Sequence, residues 1–170
     1  GAIQDLKTAI SLGPEHISWY QLTIEPNTVF FSKPPQLPED ETLWQIFAEG
    51  TERLVDNGYC RYEVSAFSKP GMQAKHNLNY WRFGDYLGIG AGAHGKLSMH
   101  DNSLDLVRTS KTRLPNDYLK SQKCKKERVG LEQRPLEFLM NALRLVNGFT
   151  LETYENRTGL SMDSLEQFMS

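Results

Sequence analysis

The chain has 170 residues, 39% hydrophobic and 24% charged, with 19 Lys and Arg against 21 Asp and Glu for a formal charge of −2. That is ordinary globular composition, which excludes a disordered tail or a coiled coil and argues against a strongly basic nucleic-acid binder. Two cysteines, Cys60 and Cys124, exclude a disulfide framework, no apolar run approaches the roughly 20 residues that span a bilayer, and a cytoplasmic setting is the default expectation.

Ile3, Leu6 and Ile10 fall at helical spacing over Ala2–Leu12, and Gly13-Pro14 stops that helix. No capping side chain precedes it, and the helix expected over Met162–Met169 has no finish at Ser170. Both ends therefore read as lying inside elements, as in an interior fragment of a longer protein. His16–Ile24 is apolar on both alternating faces and predicts a strand covered on both sides, as in a parallel sheet. Glu25–Pro38 is a proline-rich loop. Glu39, Asp40 and Glu41 open a helix running to about Asp56, where they complement the positive end of its dipole. Its apolar face is Leu43, Ile46, Phe47 and Leu54, and Asn57-Gly58 ends it. Tyr59–Ser65 reads as the next strand. Helix, strand, helix, strand is the repeat of an α/β barrel or a doubly wound sheet.

Ala66–Lys75 is a polar loop, and Asp85–Ile89 is apolar enough for a short strand. Gly88–Gly95 is a glycine-rich turn, and Leu97–Thr109 holds one or two short strands. Arg108–Arg128 carries eight basic residues against Asp117 and Glu127. It reads as a solvated inter-domain linker, with contact to an acidic partner, a phosphate or a propionate as the other reading. A domain boundary is expected near residues 110–130. Gln133–Asn147 is an amphipathic helix with Pro135 near its start and Gly148 just past its end. Thr150 and Ser161 then cap two further short helices, with Gly159 between them.

Three constellations are candidates for chemistry. Gly90-Ala91-Gly92-Ala93-His94-Gly95 has the form G-x-G-x-x-G, yet no helix pattern follows it and no acidic residue lies about 20 positions on, so a dinucleotide site is disfavoured. A tight bend and a backbone surface open to a flat ligand are both left standing. If His76-Asn77-Leu78-Asn79-Tyr80-Trp81 is helical, His76 and Tyr80 share a face. Imidazole ligates heme iron, and Tyr80 and Trp81 could flank a flat macrocycle; a hydrogen-bonded structural histidine is the plainer reading. Glu63, at the end of a predicted strand, sits where α/β proteins bind ligands, or is simply a paired carboxylate. The histidines and cysteines show no metal-ligand spacing.

The runs YEVSAFSKPG (62–71), HNLNYW (76–81) and FGDYLGIGAGAHG (83–95) together resemble the radical S-adenosylmethionine proteins related to oxygen-independent coproporphyrinogen III oxidase. Within them the HNxxYW block is similar to the branch regarded as heme chaperones (HemW-type). HISWYQLTIEPNT (16–28) and RPLEFLMNALRLVNGF (134–149) extend the resemblance along the chain. It implies an α/β fold: the C-terminal part of a partial (β/α) barrel over 1–110, a basic linker over 111–129, and the start of a helical, winged-helix-like domain over 130–170. It also implies heme contact at His76, Asn77, Tyr80 and Trp81, with His76 on the iron. Thr23, Gly88, Gly90, Gly92 and His94 would lie beside S-adenosylmethionine, His94 through its backbone. The oxidases carry an aliphatic residue at the position of His94.

The family's [4Fe–4S] cluster needs three grouped cysteines, which this chain lacks. Any radical chemistry would thus belong to a longer protein, and this segment alone would be inactive. The implied function is heme delivery to a respiratory-chain apo-protein, with oxidative decarboxylation of coproporphyrinogen as the alternative. A homodimer and a peripheral membrane contact stay open. No nucleic-acid partner is expected, because Met162–Ser170 holds Asp163 and Glu166 but no Lys or Arg.

Overall fold

A computed structural model of the chain describes residues 1–101, 103–121 and 123–169. It folds as two compact units, Gly1–Ala74 and Lys75–Ser170. In the first, helix α1 (Ala2–Ser11) leads to strand β1 (His16–Ser18), a short helix α2 (Val29–Ser32) and the long helix α3 (Asp40–Asp56). The hairpin of β2 (Cys60–Glu63) and β3 (Ala66–Ser68) completes it. Thr28 caps α2 by accepting the Phe31 amide at 3.1 Å, and α3 opens on Asp40 and Glu41 as the acidic run predicts. Leu6, Ile17, Leu54, Tyr59 and Phe67 form the core of this unit, with Ala9, Ile10 and Trp19 packed against it. Tyr59 enters as far as its hydroxyl, which donates to the Pro14 carbonyl at 2.6 Å.

Two expectations change here. The strand predicted over His16–Ile24 stops at Ser18, and it is antiparallel rather than parallel. The sheet order is β1-β3-β2, with β3 antiparallel to both neighbours. The reason is the length of β3, whose three residues give β1 nothing to pair with after the Trp19 amide reaches the Ser65 carbonyl. Tyr59–Ser65 is likewise not one strand. The chain reverses at Val64-Ser65, because the buried Glu63 carboxylate accepts the Ser65 amide at 2.9 Å and closes the turn. Residues 66–68, expected in a polar loop, are therefore buried strand.

The second unit starts with helix α4 (Lys75–Trp81), continues through β4 (His94–His100), β5 (Leu104–Lys111), helix α5 (Pro115–Ser121) and β6 (Cys124–Arg128), and ends in helices α6 (Arg134–Ala142), α7 (Leu151–Thr158) and α8 (Met162–Met169). Its sheet is antiparallel in the order β4-β5-β6. One face carries Leu106 into a core of Phe83, Val129, Phe138, Ala142, Tyr154 and Leu165. Phe138 stands edge-on to Phe83, Phe149 and Tyr154, with centroids at 5.7, 4.8 and 5.1 Å.

The basic segment expected as a linker carries α5 and β6, and β6 pairs with β5 from Lys111↔Cys124 to Val107↔Arg128. Its charges are partly paired: Lys125 with Glu127 at 3.0 Å and Arg128 with Asp105 at 3.2 Å. The strand expected over Asp85–Ile89 reduces to a single antiparallel bridge between Tyr86 and Lys96. Helix α6 ends at Ala142, short of the predicted Asn147. Thr150 does cap α7, accepting the Thr153 amide at 3.1 Å, and Gly159 ends it in the left-handed region. Helix α8 covers Met162–Met169, and Ser170, to which that helix was expected to reach, is outside the described residues. Among the described residues no helix is long and apolar enough to cross a membrane.

Candidate functional site

Helix α4 places the HNLNYW residues on about two turns, packed against α6 within the second unit. His76 is exposed, while Asn77, Tyr80 and Trp81 are half-buried. The i, i+4 spacing brings the His76 and Tyr80 rings together, edge to face, with centroids 4.7 Å apart at 89°. Tyr80 meets Tyr86 in the same manner at 4.6 Å and 65°. Trp81 is tilted against Tyr80, with centroids 6.5 Å apart at 51°, and the Arg144 guanidinium lies over its ring, 4.3 Å from the centroid. The Trp81 indole Nε1 is buried and has no hydrogen-bond partner among the described residues. The arrangement offers an accessible imidazole on an aromatic platform bordered by a cation, which suits a flat, anionic, metal-bearing ligand.

Tyr86 is held at both ends. Its amide and carbonyl bond to Lys96 at 2.9 and 3.0 Å, and its hydroxyl accepts from Arg108 Nη1 at 3.0 Å. Arg108 in turn directs Nε and Nη2 onto Glu137 Oε2 of α6. Beneath this line lies a second polar group. Lys96, 1% exposed, donates to Asp85 Oδ1 and to the Phe83 carbonyl, each at 3.0 Å, with its ammonium 4.3 Å from the Phe83 ring centroid. Asp85 also accepts the Ser98 amide and hydroxyl, both at 2.8 Å.

The two partners respond differently. Burial pushes the Lys96 ammonium below its usual range, against the opposing pull of Asp85. Burial alone would raise the Asp85 carboxyl, but the Ser98 hydrogen bonds and Lys96 outweigh it and hold it below the usual carboxylate value. The difference follows from exposure, since Asp85 keeps 36% of its side-chain surface in water and Lys96 keeps almost none.

The glycine-rich turn divides into two parts. A Cβ on Gly88 would stand 2.4 Å from the His94 carbonyl oxygen and 2.6 Å from its carbon. The missing side chain there is filled by the chain's own backbone. Gly90 and Gly92 have φ of +105° and +71°, and neither has an atom closer than 3.8 Å to a built Cβ. The Gly90 amide donates to the Tyr118 hydroxyl oxygen at 3.3 Å, and the Gly92 amide donates to the Thr112 carbonyl at 2.7 Å. His94 opens β4 with its side chain exposed. Thr23 is exposed and belongs to the first unit. We expect Gly88→Ala to lower stability by about 1–3 kcal/mol, the usual cost of forcing a methyl into filled space. A fall in the urea midpoint at constant slope checks this, and an unchanged midpoint refutes the close packing.

Glu63 closes a turn and is not presented to a ligand. Among the described residues no group of three or more His, Cys, Asp or Glu could hold a metal ion. With two cysteines at positions 60 and 124, the donor set does not fit an iron–sulfur cluster. Sequence reading missed Asp85, Tyr86, Lys96, Arg108 and Glu137. One trace was present: Lys96 and Ser98 occupy alternate positions in a strand just after the glycine turn, which puts a lysine on an inward face.

Residues 129–165 match the family described as the HemN C-terminal domain. The heme chaperone HemW of Haemophilus influenzae is 51% identical over 166 residues, covering 97% of this chain and 43% of the relative. HemW of Escherichia coli is 50% identical over 163 residues, covering 95% and 43%. A solved structure of Escherichia coli coproporphyrinogen III oxidase (HemN), described as a radical SAM enzyme, superposes with a TM-score of 0.62 over 91% of this chain and 39% of that one, at 13% identity. That likeness is one of fold, and it bears out a mixed α/β chain of the fold that the resemblance implies, here with small antiparallel sheets. The chain spans less than half the length of these relatives, and over nearly all of its own length it is a homologue of the HemW heme chaperones, with half of its residues identical to theirs.

Proposed function

We propose that this chain is the heme-contacting segment of a heme chaperone, with His76 as the iron ligand and Asn77, Tyr80 and Trp81 around the macrocycle. The observation that carries the reading is the exposed His76 imidazole set edge-on against Tyr80 at 4.7 Å. A carrier must release its cargo, so its ligand must be both reachable and oriented. An imidazole in solvent, steadied by one aromatic neighbour, meets both needs. Neutral imidazole presents one ring nitrogen to the iron while the other can donate a hydrogen bond.

The open Gly90 and Gly92 backbone, with Gly88 and His94 of the same turn, is proposed to border S-adenosylmethionine in the full-length protein. When bound there, that cofactor and its cluster would supply radical chemistry, and the cluster's ligands would come from outside this chain. Residues 1–110 would then form the back of the barrel and 130–170 the start of the C-terminal domain. The acceptor is proposed to be a respiratory-chain apo-protein reached from the cytoplasm. Homodimerisation and a peripheral membrane contact belong to the same reading and rest on no contact within this chain.

Heme titration of the full-length protein tests the assignment. Replacing His76 by alanine is expected to shift the Soret band and to weaken binding by about 100-fold, as loss of a metal's protein ligand exceeds second-shell effects. An unchanged band and affinity would refute the assignment.

A further inference from the structure

We propose that Tyr86 is a positioning residue for the His76 ligand, and that Arg108 of β5 and Glu137 of α6 brace it. The inference rests on the heme reading of His76. The contacts run in one line. His76 lies on Tyr80 at 4.7 Å, and Tyr80 lies on Tyr86 at 4.6 Å. Tyr86 receives Arg108 at 3.0 Å, and Arg108 makes two bonds to Glu137 Oε2.

Each ring fixes the next because edge-to-face packing penalises rotation of either partner. Tyr86 itself has no freedom to follow. Its backbone is bonded to Lys96 on both sides, and its hydroxyl is held by a guanidinium whose charge is already neutralised. Helix α4 has only seven residues, too few to keep a stable geometry without tertiary contacts. An exposed ligand on so short a helix would otherwise sample several orientations. The brace narrows these, much as outer partners orient ligating histidines at metal sites. It also makes α6, inside the segment that matches the HemN C-terminal domain, a determinant of heme coordination on α4.

The test is heme titration of the full-length protein, with the unfolding midpoint of each variant measured alongside. Tyr86→Leu removes the ring under Tyr80. It is expected to weaken heme binding by about 10-fold, the lower end of outer-partner effects, and to broaden the Soret band into a mixture of coordination states. Tyr86→Phe keeps the ring and loses only the hydroxyl, and is expected to restore most of the affinity. Glu137→Gln loosens the far end of the brace without touching either ring, and is expected to act in the same direction by less. It serves if the leucine variant fails to fold.

Wild-type affinity and a single wild-type Soret band in Tyr86→Leu, or in Glu137→Gln where the leucine variant is unfolded, overturn the proposal. If His76→Ala also binds like wild type, the heme reading falls with it. If His76→Ala loses the band while Tyr86→Leu keeps it, only the brace falls.

Discussion

Replacing Asp85 by alanine is expected to lower the unfolding free energy by about 3 kcal/mol, the lower end of the range for removing one partner of a buried ion pair. The size comes from what stays behind. Lys96 would remain enclosed, with the Phe83 carbonyl and ring as its neighbours and Arg108 and Arg157 repelling it. The Ser98 amide would lose its acceptor as well. Asp85 is itself partly solvated, which places the cost at the lower end. Urea unfolding followed by far-ultraviolet circular dichroism measures it.

The paired variant Asp85→Ala with Lys96→Met is expected to recover much of the loss, because removing both charges leaves no buried ion without a partner. Simple additivity of the two substitutions would refute the pairing. The pH dependence has a definite sign. The folded Asp85 carboxyl titrates below its unfolded counterpart, so its stabilisation is complete above the ordinary carboxylate value and is lost as pH falls through the lowered one. Lys96 is also lowered, so between its folded and unfolded values the unfolded chain holds the extra proton and stability rises with pH. The Asp85→Ala variant should lack the acidic limb.

Arg134→Met should be of similar weight, about 3 kcal/mol, since hydrogen bonds to a charged donor contribute about 1.5–3 kcal/mol each and burial of the charge offsets part of that. Arg134 is 4% exposed, and its guanidinium donates to three carbonyls: Thr158 at 2.6 Å, Leu104 at 3.0 Å and Val129 at 3.4 Å. These belong to the last turn of α7, the start of β5 and the segment after β6. One side chain therefore joins two helices to the sheet. Thr158 is fully buried, so no water can replace the donor at its carbonyl. The positive charge also sits at the negative end of α7.

Arg134→Lys is expected to recover less than half of the loss, because an ammonium cannot span three acceptors as the planar fork does. Full recovery by lysine would show that charge alone matters. Protection of the Leu106 and Tyr154 amides from hydrogen exchange offers a second measure, expected to fall in the methionine variant.

The helices were the most legible part of the sequence. The acidic start of α3, the threonine cap of α7 and the left-handed glycine after it are local devices, and each lies where the pattern puts it. The HNLNYW segment was legible only conditionally: if it is helical, His76 and Tyr80 share a face, and the structure makes it a helix with those rings in contact. Strands were less legible. A run such as His16–Ile24 favours extended backbone, but how far it pairs depends on the length of β3, nearly fifty residues on. The basic stretch 108–128 was misread because solvated lysines look alike on a linker and on an edge strand.

The residue types, the helical periods and the HNLNYW and glycine-rich motifs were settled by sequence alone, since each depends on neighbours within a few positions. The motifs also carry the family. What only the tertiary structure decided is which polar groups meet. Lys96 finds Asp85 across a chain reversal, Arg108 reaches Glu137 over 29 positions, and Arg134 reaches Thr158 over 24. Local spacing carries no record of such pairs. They form because burial makes an unpaired charge or carbonyl costly, so the fold must bring a partner from elsewhere in the chain. The exposed His76 sits at the end of one such chain of contacts, and its accessibility is likewise a property of packing.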